Sequence, residues 1–230
     1  AETVATRDVC PNAKPALALD RAGGPHISFM ATIAYVRTIM IATSSTATGA
    51  WDVEAVASAI GADTSPAIAL DANSVVHLAW SAPGSSSAVP HGVVRHAMQE
   101  GTGWRIEVVD AGRLIPDCAL ALDSDGHPFI ALLDSPRDAG AGQLRLAYRD
   151  AAGWHVEDLD APNEQPGWLS LAVGHNGRPS LSYYDAIAGD LRILDRASAP
   201  PIASTPPASL PWQTYCIDCP RAFDSMADHS

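Results

Sequence analysis

His91, Asp134, Arg137, Asp138, Trp168, Tyr184, Asp185 and Asp190 are the side chains of this chain best placed to meet a ligand. They fall in or beside segments 30–35, 81–92, 133–143 and 184–190, with Trp168 in a separate connection. Aromatic rings beside carboxylates suit a sugar or a cationic ligand. A carboxylate pair also serves acid/base hydrolysis when its spacing matches that of a glycosidase.

Cysteine and histidine offer other chemistry. Cys10, Cys118, Cys216 and Cys219 fit two disulfides in any of three connectivities. The tail pair either bridges to Cys10 or Cys118 or closes on itself. A four-cysteine metal site needs Cys10 and Cys118 on one face, and only one close pair is present. A redox Cys-x-x-Cys normally opens a helix in a thioredoxin-like fold, a context missing here. His26 and His77 share a repeat position, read as a strand-start histidine bonded to its turn. His91, His96, His127, His155, His175 and His229 follow no ligand spacing. Nucleophile-elbow, zinc-protease, phosphate-loop and dinucleotide fingerprints are missing.

Composition narrows the partners. The 230 residues carry a net charge of -12, so no basic face is expected for nucleic acid. The most apolar region, residues 27–43, is broken by Arg37, and no membrane span is expected. At 47% hydrophobic and 17% charged, the chain is too apolar for a disordered protein. It opens Ala-Glu-Thr, as an exported protein does after signal cleavage, and an extracytoplasmic location (secreted or periplasmic) is expected. All basic residues but Lys14 are arginine, the coding bias of a GC-rich bacterial genome.

The elements that must position these residues come from a repeat. Leu17-Ala-Leu-Asp20, Ile68-Ala-Leu-Asp71, Leu120-Ala-Leu-Asp123 and Leu171-Ala-Val-Gly174 begin 51, 52 and 51 residues apart. A second apolar run follows each, and then a third centred on Arg37, Arg95, Arg145 or Arg192. Three copies add a Trp-x-x-Glu run: Trp51 to Glu54, Trp104 to Glu107 and Trp154 to Glu157. Short alternating runs bounded by Gly, Asp and Pro read as strands. Four such strands in about fifty residues is the unit of a β-propeller blade. The Asp-x-x-Gly turns read as hairpin chemistry, because the alternating carboxylates of a calcium loop are missing.

The fold expected is an all-β, four-bladed β-propeller over residues 1–196. Its last blade is expected to close on the N-terminal strand Glu2-Thr3-Val4, because the fourth copy shows no Trp-x-x-Glu run after Arg192. Hairpin pairing is expected to face Arg145 to Glu157, Tyr148 to Trp154, Arg95 to Glu107 and Met98 to Trp104. Arg37 is expected to face Glu54 across a longer turn, and Arg192 to face Glu2. This forms a cross-strand Arg–Glu ladder. The Leu-Ala-Leu strands are expected to line the axis, where inward carbonyls suit a structural Ca²⁺ or Na⁺. Residues 197–230 read as a Pro-rich linker and a cysteine-containing tail.

The copy running from Leu120 to Asp134 resembles a repeat of exported bacterial β-propeller proteins, similar in layout to NHL and BNR-type repeats. The resemblance covers residues 1–196 and implies fold more than activity, since propellers host binding modules, hydrolases and lyases. The sialidase Asp box Ser-x-Asp-x-Gly-x-x-Trp is not matched. The functional expectation is a module presenting variable loops to a glycan, peptide or protein. The alternatives are a carboxylate or metal-dependent enzyme, or an assembly role for the tail.

Overall fold

The computed structural model describes residues 3–4, 9–10, 13–45, 49–58, 65–82, 92–111, 117–134, 143–159, 166–196 and 212–217. Among them there is no helix, hence none able to cross a membrane. Among the described residues sixteen strands form four four-stranded antiparallel sheets. The first holds β1 (Ala16–Leu19), β2 (Pro25–Ile33), β3 (Val36–Ser44) and β4 (Trp51–Ser58). The second holds β5 (Ala67–Leu70), β6 (Val76–Ala82), β7 (Val93–Glu100) and β8 (Gly103–Ala111). The third holds β9 (Asp117–Leu122), β10 (Pro128–Asp134), β11 (Gln143–Asp150) and β12 (Gly153–Asp158). The fourth holds β13 (Pro166–Val173), β14 (Pro179–Asp185), β15 (Asp190–Arg196) and β16 (Trp212–Ile217). Each sheet is a meander, and the arrangement is propeller-like.

The repeat register is kept. Leu17 faces Ile27, Ile68 faces Leu78, Leu120 faces Ile130 and Leu171 faces Leu181. The turns between these strands are built alike. Asp20 Oδ1 accepts the N–H groups of Ala22 and Gly24, Asp71 Oδ1 those of Asn73 and Val75, and Asp123 Oδ1 those of Asp125 and His127. These carboxylates are spent on closing hairpins. In the fourth copy Gly174 replaces the Asp, and Asn176 Oδ1 accepts from Arg178 N.

Packing joins consecutive sheets. Met30, Ile39 and Ile41 of the first meet Leu78 and Trp80 of the second. Ala79 and Val94 meet Ile130 and Leu132 between second and third. Leu144 and Leu146 meet Leu181, Tyr183 and Leu194 between third and fourth. Several of these side chains are wholly buried, each contributing about 1.5–3 kcal/mol by leaving water.

Two sequence expectations are corrected. The fourth strand of the last sheet is β16, from the tail, pairing Arg196 with Trp212 and Leu191 with Ile217. Glu2 lies outside the described residues. Val4 packs by Phe29 and Met40 of the first sheet. The missing Trp-led strand is Trp212 to Tyr215, hidden from the repeat by the Pro-rich stretch before it and by Tyr at the Glu position. Trp51 Nε1 is buried with no hydrogen-bond partner among the described residues, whereas Trp104 and Trp154 each reach a Glu of the preceding sheet.

The Arg–Glu register is the second correction. Glu100 faces Gly103 and Asp150 faces Gly153, so both turns have two residues and the pairing shifts by one. Arg145 therefore faces Asp158, Tyr148 faces His155, Arg95 faces Val108 and Met98 faces Arg105. Glu54 faces Ile41, and Arg192 faces Cys216. A one-residue slip turns a side chain to the other face of its sheet. The glutamates accordingly serve the next sheet. Glu54 accepts from Trp104 Nε1 at 3.1 Å, Glu107 from Trp154 Nε1 and Arg149 Nε at 3.1 Å, and Glu157 from Arg196 Nη2 at 2.6 Å. Arg145 ties Asp158 of its own sheet at 2.9 Å and also Asp110 of the sheet before.

Candidate functional site

One face of the assembly gathers the starts of the first strands and the hairpins between second and third strands. In the first sheet that hairpin is Ala34-Tyr35, with φ of 48° and 66°, and Tyr35 is fully exposed. The corresponding connections of the second and third sheets hold His91, Arg137 and Asp138, which lie outside the described residues. Asp134 ends β10, where its backbone faces Gln143.

The fourth sheet shows its candidates in full. The β13–β14 register breaks between Gly167 and Ser170, and Trp168 sits in the break. Its φ is 47°, a left-handed conformation that a bulky aromatic residue adopts only at a cost of about 1–3 kcal/mol. A bulge re-aims a side chain, and here it holds the indole 68% exposed. Gly167 faces Tyr184 across the strands and offers it no side chain, and the Trp168 ring lies 5.7 Å from the Tyr184 ring. Trp168 and Tyr184 thus form one aromatic surface.

Asp185 and Asp190 are committed differently. Asp185 is 1% exposed. Its Oδ1 accepts the N–H groups of Ile187 and Ala188, and its Oδ2 meets Arg192 Nη2 at 3.0 Å. That carboxylate builds the hairpin beneath Tyr184. Asp190 lies 3.9 Å from the same guanidinium. The two acids share one cation.

A cavity of about 300 Å³ opens beside this surface. Lys14 and Ala16, Ser65 and Ala67, Cys118 and Ala119, and Trp168 with Ser170 line it, so the first strands of all four sheets border one space. Ala16, Ala67, Ala119 and Ser170 are all small and leave that space open.

Metal and redox chemistry find less. Cys10 and Cys118 are buried in different inter-sheet cores and are not bridged to each other. Cys10 Sγ lies 3.6 Å from Thr32 Oγ1. Cys216 belongs to β16, and Cys219 lies outside the described residues. Among the described residues, Asp123, Asp125 and His127 form the one grouping with metal-ligand spacing. Asp123 there is already occupied by the hairpin N–H groups and by His127 Nδ1 at 3.0 Å. His26 keeps the turn contact expected of it, at 3.6 Å from Asp20, but His77 does not. His77 Nδ1 instead meets His96 Nε2 at 3.0 Å, and both rings are buried. Burial, and then the neighbouring His77, push His96 down to about 3. No spacing rule pairs residues 77 and 96; strand register does, placing them on adjacent strands.

No protein-family profile matches the sequence, and no curated protein matches it. Among solved structures, a protein of unknown function from Dyadobacter fermentans aligns with a TM-score of 0.58 at 11% identity, over 81% of this chain. This chain spans 65% of that protein's length. An α-L-arabinofuranosidase from Lactobacillus brevis aligns with a TM-score of 0.55 at 12% identity, over 90% of this chain and 74% of that one. A fucose lectin from Kordia zhangzhouensis aligns with a TM-score of 0.44 at 13% identity, over 63% of this chain and 97% of that one. At these identities the two higher-scoring likenesses concern fold alone.

Proposed function

We propose that the chain is an extracytoplasmic glycan-binding module whose four sheets are the blades of a closed ring. The observation that carries this reading is Trp168, held exposed in a left-handed conformation against Tyr184 at the mouth of the axial cavity. Strain maintained at an exposed aromatic residue is a recurrent sign of a binding surface. A flat indole beside a phenol offers apolar area to the C–H face of a sugar ring and a polar tip to its hydroxyls. The cavity falls at the small end of the range for ligand pockets. The arabinofuranosidase neighbour acts on a sugar, which makes a glycan the first class to test. The ring reading is supported by the cavity that all four first strands border.

The test is a glycan array with the intact chain, followed by titration calorimetry on each hit with Trp168→Ala. The reading expects at least one hit, weakened tenfold or more by the substitution. No hit, or hits that Trp168→Ala leaves unchanged, would overturn it.

A further inference from the structure

Aligned on Leu17, Ile68, Leu120 and Leu171, the four repeats place Lys14, Ser65, Asp117 and Trp168 at one and the same position. Each stands three residues before the aligned residue, where the chain enters its first strand. The position two residues later is Ala16, Ala67, Ala119 and Ser170, small in every copy. The small column is what a repeat needs to keep its axis open. The column before it obeys no such economy: it holds an amine, a hydroxyl, a carboxylic acid and an indole. Where a repeat keeps its frame and varies one position completely, that position is free to serve a ligand.

Geometry brings three of the four together. Lys14, Ser65 and Trp168 all line the axial cavity, and Lys14 N–H donates to Ser65 Oγ at 3.0 Å, joining the first two rim residues. Asp117 occupies the fourth place by register, facing Leu133. Lys14 is the one lysine of the chain.

We infer that this rim is a sugar subsite that takes the terminal ring of a glycan end-on along the axis. The inference rests on the glycan reading and adds where the chain enters and which residues choose it. Trp168 receives the C–H face. Lys14 and Ser65 meet hydroxyl groups, the amine as donor and the hydroxyl as donor or acceptor. A cavity of about 300 Å³ bordered by four strands has room for a single ring, and a chain passing sideways would carry linkages at both ends.

The test uses methyl glycosides of L-arabinofuranose, L-fucose, D-galactose and D-glucose, together with their linear trisaccharides. Calorimetry measures affinity for the intact chain and for Lys14→Met, Ser65→Ala, Trp168→Ala and, as a control in the exposed turn at the far end of β13, His175→Ala. Saturation-transfer NMR reports which ring of the trisaccharide touches protein. The inference expects one methyl glycoside to bind within about threefold of its trisaccharide, with transfer strongest at the non-reducing ring. Lys14→Met and Ser65→Ala each weaken binding fivefold or more, with melting temperature unchanged, and His175→Ala has no effect. Two results would overturn the inference while leaving the glycan reading in place. One is a trisaccharide that binds where its methyl glycoside does not. The other is binding that responds to Trp168→Ala but not to either rim variant. Failure of every probe to bind would overturn the inference, and the glycan array alone would then decide the reading beneath it.

Discussion

The indole N–H of Trp154 donates to the Glu107 carboxylate at 3.1 Å, from the third sheet to the second. Arg149 reaches the same carboxylate. Burial works to raise the Glu107 carboxyl, and the Trp154 and Arg149 hydrogen bonds together with the Arg149 and Arg105 charges outweigh it and hold the group below its ordinary value. Trp104 to Glu54 and Arg196 to Glu157 are the same joint made elsewhere, so the repeat locks sheet to sheet.

Glu107→Ala leaves an indole N–H and a guanidinium without their acceptor. The expected cost is about 1–3 kcal/mol, read by urea unfolding. Glu107→Gln keeps an acceptor and is expected to cost less. An equal loss for both would assign the effect to charge rather than to the shared hydrogen bond.

His96 makes stability depend on pH. An unfolded histidine takes a proton near 6.5, whereas folded His96 does so only at about 3. Between those values the unfolded state binds more protons. Stability is therefore complete above pH 6.5 and falls as pH is lowered toward 3. The groups facing the pair are Asp71, Arg105, Glu107 and Arg149. Glu107, with its lowered carboxyl, adds to the loss on the acid side. Melting temperature against pH is expected to be flatter between pH 6 and about 4 in His96→Gln than in the parent.

Leu132 is wholly buried between the second and third sheets. Leu132→Ala is expected to cost about 2–5 kcal/mol in the same urea titration, the range for a core cavity.

Ending the chain after Arg196 removes β16 and leaves β15 as a bare edge. An unpaired edge invites pairing between copies. The truncated chain is expected to show concentration-dependent scattering that the intact chain lacks. A monomeric, equally stable truncation would mean that β16 is dispensable to the fourth sheet.

The frame was legible because each repeat states its strands locally: Leu-Ala-Leu, an Asp turn, an Arg-centred run, a Trp-led run. The turns came out as expected, down to Asp20, Asp71 and Asp123 closing them. Two features were not legible. Pairing depends on whether a turn has an odd or even number of residues, and Gly101-Thr102 and Ala151-Ala152 are even; alternation alone does not distinguish the cases. The last strand was masked by the proline-rich approach to Trp212. At the site, the sequence marks Trp168 and Tyr184 as loop residues, and the bulge that joins them has no sequence signature beyond Gly167. The burial of Asp185 follows from its place in a hairpin, which charge alone does not reveal.

Substituting 5-fluorotryptophan throughout gives six ¹⁹F resonances, one for each tryptophan, and Trp168→Phe identifies the one that matters. Titration with the glycan found on the array is the most direct test of the site. A shift of the Trp168 resonance that saturates with binding, while those of buried Trp80 and inter-sheet Trp104 stay in place, is the predicted result. Saturable binding that leaves the Trp168 resonance unmoved would contradict the account.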